Sequence, residues 1–205
     1  MLSVSGCRSG NEGWQQLGGC KLNGKRPLLA GIGKVESDCL AKLAPGMTVL
    51  EIGTLEGAST LSFVLAGAKR VVTIDTFSTD NMTDAGDVEN YMKPYSLNGV
   101  SVQSTFNVLH GFNSVVMMVG RSCDCVPLLQ DKFFDVIFID GGHMYDTVKS
   151  DWHLCLPKLK VGGVMLLHDY GATGDKYIQV KEFVDQELKE YKKEIIAGSI
   201  LRVYV

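Results

Sequence analysis

Short apolar runs alternate with helix-forming segments along most of the chain, and this alternation limits the fold more than any other feature. The early runs are continuously apolar, as in parallel strands that helices cover on both faces. Strand–helix–strand units of this kind cross over with a right-handed turn, so the pattern predicts a doubly wound α/β fold. We predict strands at Thr48–Ile52, Arg70–Ile74, Ser114–Val119, Phe134–Ile139, Val164–Leu167, Glu194–Ala197 and Ile200–Val205.

The end of the chain departs from this alternation. Only Gly198 and Ser199 separate the last two predicted strands, and this spacing requires a tight antiparallel hairpin. The predicted fold class is therefore α/β, with a doubly wound, seven-stranded and mostly parallel sheet that ends in a C-terminal antiparallel hairpin. Helices are predicted at 33–43 and at Tyr177–Tyr191, where apolar residues recur at helical spacing.

The domain organisation follows from length and from two polar segments. A length of 205 residues favours one domain. Residues 1–26 are rich in Gly, Ser, Asn and Gln and are expected to form a loosely ordered extension, with the domain at 27–205. The acidic segment Phe77–Gly99 is far longer than a normal strand–helix connection, which is typical of a lid or a binding loop. It follows the second strand and is expected at the carboxyl edge of the sheet, where ligands bind in such folds.

Charge and cysteine usage limit the partners and the compartment. The net charge of -3 argues against nucleic acid as a partner, because nucleic-acid-binding domains usually carry a basic stripe. No apolar run approaches the roughly 20 residues that span a bilayer, so no membrane contact is expected. The six cysteines are interpreted as reduced thiols, and the expected location is cytoplasmic. A homodimer is left open.

The segment 49–60, VLEIGTLEGAST, is predicted to be a strand, a glycine turn and the start of a helix. Gly53 and Gly57 permit close backbone approach, and the free N–H groups of the helix start suit an anion. The glycine spacing differs from the dinucleotide-binding pattern, which argues against a NAD-dependent oxidoreductase. Glu51 would repel a pyrophosphate but suits a ligand with a cationic amino group, and Asp75 is placed to bind ribose hydroxyls. Together these residues fit S-adenosylmethionine.

A second group of polar residues follows the fourth and fifth strands. Asp140 and His143 come after the fourth strand, and His168 and Asp169 come after the fifth. Two neighbouring carboxylates repel each other unless a proton or a cation lies between them, and a hard divalent ion such as Mg²⁺ accepts such ligands. Asp140 and Asp169 are therefore predicted metal ligands; alternatively, they hold loop N–H groups or the histidines in a metal-free site. Because free histidine titrates at about 6.5, His143 is the predicted base and His168 the second candidate.

These features resemble the class I S-adenosylmethionine-dependent methyltransferases, through the order of the seven runs and the terminal hairpin. Within that class, the stretch IDGGHMYDTVKSDWHLCLPKLKVGGVMLLHDY at 139–170 is most similar to the methyltransferase type 24 domain. The resemblance implies a Rossmann-like methyltransferase fold and an adenine contact at Ser122. The predicted cofactor-binding residues are Glu51, Gly53, Gly57, Ser59, Asp75, Ser122 and Asp140, and the predicted catalytic residues are His143, Asp140 and His168.

The strand-end acids also resemble the catechol O-methyltransferase group, in which such residues bind a metal that orients the substrate oxygen. This chain differs from that group in carrying Tyr170 after Asp169, and His143 in place of a lysine. The expected function is methyl transfer to a small-molecule acceptor, at a hydroxyl of a sugar, a phenol or a natural-product intermediate. The alternatives are an RNA methyltransferase and a non-catalytic module that binds S-adenosylmethionine.

Overall fold

One seven-stranded sheet organises the part of the chain that the computed structural model describes, residues 31–77 and 102–205. Its strands are β1 (Thr48–Ile52), β2 (Arg70–Asp75), β3 (Val115–Val119), β4 (Phe134–Ile139), β5 (Leu159–Leu167), β6 (Lys193–Ala197) and β7 (Ile200–Val203). They are ordered β3-β2-β1-β4-β5-β7-β6. The first five strands in this order pair in parallel, whereas β7 pairs antiparallel with β5 and with β6. The predicted fold class and the terminal hairpin are confirmed.

Helices connect the strands within the described ranges. They are α1 (Lys34–Leu43), α2 (Ala58–Leu65), α3 (Val102–Leu109), α4 (Ser122–Cys125), α5 (Tyr145–Cys155) and α6 (Ile178–Glu187). Short 3₁₀ turns follow α4, at Val126–Leu128, and α5, at Leu156–Lys158. A third, at Asp175–Tyr177, precedes α6.

The two faces of the sheet bury separate sets of apolar side chains. Leu50 of β1 belongs to the same buried cluster as Trp152 of α5 and Phe183 of α6. The neighbouring residue Val49 belongs to a second cluster, with Phe63 of α2. Because β1 is buried along its whole length, its sequence does not alternate between apolar and polar residues as that of a half-exposed strand does.

Several predicted boundaries are wrong by a few residues. β5 begins at Leu159 instead of Val164, because its pairing with β4 continues across an irregularity that includes Gly162 and Gly163. The last helix covers Ile178–Glu187 instead of Tyr177–Tyr191. Tyr177 belongs to the preceding 3₁₀ turn, and the helix ends where Leu188 leaves helical geometry.

Hydrogen bonds between the loops after β1, β4 and β5 continue the pairing beyond the strand ends. The N–H of Asp140 donates to the carbonyl of Ile52 at 2.8 Å, and the N–H of His168 donates to the carbonyl of Ile139 at 3.0 Å. The residues that follow the three central strands therefore lie in one row at the carboxyl edge of the sheet.

Two predicted segments lie largely outside the described residues. These are the extension at 1–26 and the acidic segment Phe77–Gly99, of which only Phe77 is described. The predicted boundary at residue 27 also lies outside them. Among the described helices, none combines the length and the apolar character needed to span a membrane.

Candidate active site

The glycine turn after β1 brings the backbone of two loops together. Gly53 has a φ of 94°, and a Cβ atom at this residue would lie 2.0 Å from the carbonyl oxygen of Asp140. Gly57, with a φ of 86°, precedes α2 and provides no side-chain cap. Only glycine therefore fits at residue 53. Because Gly57 has no side chain, it does not cap the first N–H groups of α2.

Asp75 holds this turn in place from the end of β2. Its Oδ2 atom accepts hydrogen bonds from the N–H groups of Thr54, at 2.9 Å, and Leu55, at 2.8 Å. Its Oδ1 atom accepts one from the N–H of Phe77 at 2.8 Å. These bonds stabilise Leu55 at a positive φ of 47°, which a leucine rarely adopts. Asp75 therefore shapes the turn, in addition to the ribose contact predicted for it.

We expect Asp75→Ala to weaken S-adenosylhomocysteine binding by roughly ten- to a hundredfold, because charge-assisted bonds that shape the turn are lost, at about 1.5–3 kcal/mol. Titration calorimetry measures this change. Asp38→Ala on α1 is the matched control, since Asp38 is exposed and pairs only with Lys34 among the contacts that the structure gives it. Unchanged affinity in a folded Asp75→Ala variant would contradict the role of Asp75.

Glu51 lies inside β1 and is fully buried. Its Oε2 atom accepts hydrogen bonds from the hydroxyls of Thr60 and Thr73, the latter at 2.6 Å. Its Oε1 atom has no hydrogen-bond partner among the described residues. Burial raises the pKa of Glu51 to about 7, although the hydroxyls of Thr60, Thr73 and the buried Ser59 oppose the shift. A cationic group at Oε1 would favour the charged form.

The raised pKa of Glu51 predicts a pH-dependent stability. The folded protein holds the proton of Glu51 up to about pH 7, whereas the unfolded chain holds it only to about pH 4.5. The protonated Glu51 therefore contributes to the free energy of unfolding at low pH, and this contribution is lost as pH rises between these values. The free energy lost is about 3 kcal/mol. Urea unfolding of the cofactor-free protein at pH 5 and pH 8 should therefore show Glu51→Gln gaining stability relative to wild type as pH rises. The exposed Glu182→Gln control should follow wild type, and parallel curves for Glu51→Gln would contradict the assignment.

Ser122, the residue for which an adenine contact is predicted, begins α4 three residues after the end of β3 at Val119. Its hydroxyl donates to Oδ1 of Asp151 at 2.5 Å. Asp151 is buried, and burial raises its pKa to about 6. Asp151 is not among the predicted site residues, because its position within a helix accounts for an acidic residue equally well. The structure connects it to the start of α4.

Four side chains meet at the ends of β4 and β5. Nδ1 of His168 lies 2.8 Å from Oδ1 of Asp140 and 3.4 Å from Oδ2 of Asp169. The same Oδ2 atom lies 3.0 Å from Nε2 of His143. Asp140 and Asp169 are thus brought together as predicted, but His168 lies between them.

The charges of this cluster favour a protonated His168. Burial alone would lower the pKa of His168, but the nearby carboxylates, above all Asp140, raise it to about 12. Burial likewise opposes the charged form of Asp169, yet hydrogen bonds from His143 and His168 hold its pKa well below the usual range. Burial raises the pKa of Asp140, whereas the neighbouring His168 opposes that shift. The 2.8 Å contact between Nδ1 of His168 and Oδ1 of Asp140 favours the charged pair. The His168 ring thus occupies the predicted position of a proton or a cation between the two carboxylates, and the neighbouring charges favour its protonated form.

Glu36 of α1, which is not among the predicted site residues, reaches the same cluster. Its Oε1 atom lies 3.3 Å from Nε2 of His168. The same carboxylate accepts hydrogen bonds from the N–H and the hydroxyl of Ser199, at 2.9 and 3.0 Å, and from the N–H of Gly33 at 2.9 Å. A glutamate three residues after the N-cap residue, here Gly33, indicates a local cap, so no sequence signal connected Glu36 with residue 168.

The strand order, the glycine turn after β1 and the acidic residue at the end of β2 define a class I S-adenosylmethionine-dependent methyltransferase. Within this class, the chain belongs to the methyltransferase type 24 domain family, whose model, described as a methyltransferase domain, matches residues 50–170. The family match covers both the glycine turn and the strand-end cluster.

Individual proteins and solved structures are also similar to this chain. The uncharacterized protein R132 of Acanthamoeba polyphaga mimivirus is 28% identical over 127 residues, or 60% of this chain and 52% of the relative, so the chain spans about half the length of this curated relative. The solved structure of the O-methyltransferase NovP has a TM-score of 0.62 at 18% identity, covering 84% of this chain and 80% of that chain. An O-methyltransferase from Bacillus cereus in complex with S-adenosylhomocysteine has a TM-score of 0.56 at 18% identity, covering 85% and 83%. At this identity the likeness establishes the fold.

Proposed function

We propose that this methyltransferase transfers the methyl group to a hydroxyl oxygen of a small-molecule acceptor. The observation that carries the proposal is the pairing of His143 with Asp169 at the carboxyl edge, one strand away from the glycine turn. An imidazole held by a carboxylate is a general base suited to a hydroxyl. An acidic cluster also disfavours an RNA acceptor, because it repels phosphates.

The cofactor is proposed to lie over the glycine turn. Gly53 and Gly57 would allow its amino-acid end to approach the backbone. Ser59 lies in the first turn of α2, the helix that would meet its carboxylate. Glu51 would face its cationic end. The remaining proposed contacts, to ribose, adenine and the region near the methyl group, are made by Asp75, Ser122 and Asp140.

His143 is proposed to accept the proton of the acceptor. Since its Nε2 atom is paired with Asp169, its Nδ1 atom is the one left for the substrate. In the transfer, the bond from sulfur to the methyl carbon breaks as the bond from the acceptor oxygen to that carbon forms. The acceptor proton moves to Nδ1 of His143, and the products are S-adenosylhomocysteine and a methyl ether. Asp169 would stabilise the imidazolium formed on His143.

A divalent cation is the second component of the proposal. Ligand atoms of Asp140, His168 and Asp169 all lie within 4.8 Å of one another, and a bound cation would lower the pKa of an acceptor hydroxyl. This set of possible metal ligands differs from the predicted pair, Asp140 and Asp169, because it also includes His168. A mixed nitrogen and oxygen set fits a transition metal such as Mn²⁺ better than Mg²⁺, which prefers oxygen. A cation bound to Nδ1 of His168 would replace the contact between this atom and Asp140.

Calorimetry followed by a transfer assay tests this function. We expect S-adenosylhomocysteine to bind and NAD to give no response. Labelled methyl from S-adenosylmethionine should then be incorporated into hydroxylated acceptors, namely saccharides, catechols and other phenols, but not into RNA. Parallel reactions with EDTA, Mn²⁺ and Mg²⁺ test the cation separately: full activity in EDTA would eliminate the cation alone. Cofactor binding without transfer to any acceptor would favour a non-catalytic module, and transfer to RNA would contradict the small-molecule assignment.

A further inference from the structure

Glu36 connects three parts of the fold that are distant in sequence. It extends from α1, accepts two hydrogen bonds from Ser199 in the turn between β6 and β7, and approaches His168 after β5. Both α1 and this turn lie outside the range 50–170 that matches the family. The contact therefore joins the flanking elements of this chain to the strand-end cluster.

The turn between β6 and β7 is built to admit this carboxylate. A Cβ atom at Gly198 would lie 2.4 Å from Oε1 of Glu36, and Gly198 has a φ of 50°. A residue with a side chain at 198 would therefore displace the Glu36 carboxylate.

The contact bears directly on the orientation of the His168 ring. His168 is 7% exposed, and among the described residues its buried Nε2 atom has no hydrogen-bond partner. The nearest anionic atom given for Nε2 is Oε1 of Glu36, at 3.3 Å, while Nδ1 faces Asp140 at 2.8 Å. A flipped ring would place carbon atoms opposite both Asp140 and Glu36, so the Glu36 carboxylate adds to the preference that Asp140 gives this orientation.

We propose that Glu36 is a positioning residue for methyl transfer. It holds the His168 ring with Nδ1 towards Asp140 and Asp169, and so keeps Asp169 in place to pair with His143. This inference rests on the proposed role of His143 as the base. Glu36 itself touches neither the cofactor nor the acceptor in this account.

The test compares Glu36→Ala with the conservative Glu36→Gln and with Ser199→Ala. We expect Glu36→Ala to lower kcat about tenfold or more while the dissociation constant of S-adenosylhomocysteine changes less than about twofold, because the cofactor turn is untouched. Glu36→Gln keeps an acceptor oxygen facing the ring and should stay within about threefold of wild type. Ser199→Ala removes one hydrogen bond to the carboxylate but not the contact with His168, and should retain kcat. An equal loss of kcat in Ser199→Ala and Glu36→Ala would overturn the proposal, as would full activity of Glu36→Ala.

A second pair of variants tests the proposal independently, in case Glu36→Ala does not fold. Gly198→Ala should reproduce the loss of kcat by displacing the carboxylate. Gly46→Ala is the matched control, since Gly46 also has a positive φ, 75°, but a Cβ atom there meets nothing within 4 Å. Equal kcat in the two alanine variants would overturn the proposal.

Nitrogen-15 NMR of the imidazole rings in the cofactor-free protein separates this inference from the proposed function, because it needs no turnover. Wild type and Glu36→Gln should each give one sharp set of His168 ring signals, because an acceptor oxygen still faces Nε2, whereas Glu36→Ala should broaden the signals or split them into two sets. Equally sharp single sets in all three proteins would overturn the inference, whatever the acceptor proves to be.

Discussion

Replacing His143 by alanine is expected to lower kcat by about 10²–10⁴-fold, the range associated with loss of a general base. The affinity for S-adenosylhomocysteine should change little, because His143 lies beyond the glycine turn and contacts Asp169 and the ring of Tyr177. The loss should be partly recovered at high pH, where the acceptor hydroxyl ionises without help. Steady-state kinetics across pH, together with calorimetry, measures both quantities.

His153→Ala is the control for this variant, since His153 is exposed near the end of α5. Asp169→Asn provides an independent check on the pairing. Asp169 has a φ of 61°, a conformation that asparagine tolerates well, so this variant keeps the backbone and removes only the charge. A loss of about 10²-fold or more is expected. Wild-type turnover in both His143→Ala and Asp169→Asn would place the chemistry elsewhere.

Replacing Gly53 by alanine is expected to destabilise the fold by about 3 kcal/mol or more and to abolish measurable cofactor binding. The new Cβ atom would lie 2.0 Å from the backbone oxygen of Asp140, which cannot rotate away as a side chain can. Either the turn or the loop after β4 must therefore move. Thermal unfolding and calorimetry with S-adenosylhomocysteine measure the two effects.

Gly67→Ala is a closely matched control for Gly53→Ala. Gly67 has a φ of 91°, nearly the 94° of Gly53, but a Cβ atom at 67 meets nothing within 4 Å. Its cost should be limited to the left-handed backbone, about 1–2 kcal/mol, with cofactor affinity unchanged. If the two variants behave alike, backbone conformation alone explains the need for Gly53, and the close contact with Asp140 has no part in it.

The fold could be predicted because its signals are local. The apolar run of β1 is buried on both faces, and the two residues between β6 and β7 allow only a hairpin. The approach of Asp140 to Asp169 followed from the same logic, since neighbouring parallel strands end at the same edge.

The fine structure of the site could not be predicted, because it depends on how separate elements pack. The His168 ring lies between Asp140 and Asp169 because of the direction in which its side chain leaves the end of β5, which the sequence does not specify. Glu36 reaches this ring because α1 packs near the turn between β6 and β7, more than 160 residues later in the chain. The hydrogen bonds from the turn to Asp75 likewise depend on the unusual backbone at Leu55.

The measurement that tests the account most directly is the transfer of a labelled methyl group from S-adenosylmethionine to hydroxyl, amine and thiol acceptors, by wild type and by His143→Ala under matched cofactor saturation. We expect the label on oxygen in the wild-type reaction, and a rate at least about 10²-fold lower for His143→Ala at neutral pH. Label transferred to oxygen at equal rates by the two proteins, or found only on nitrogen or sulfur, would contradict the account.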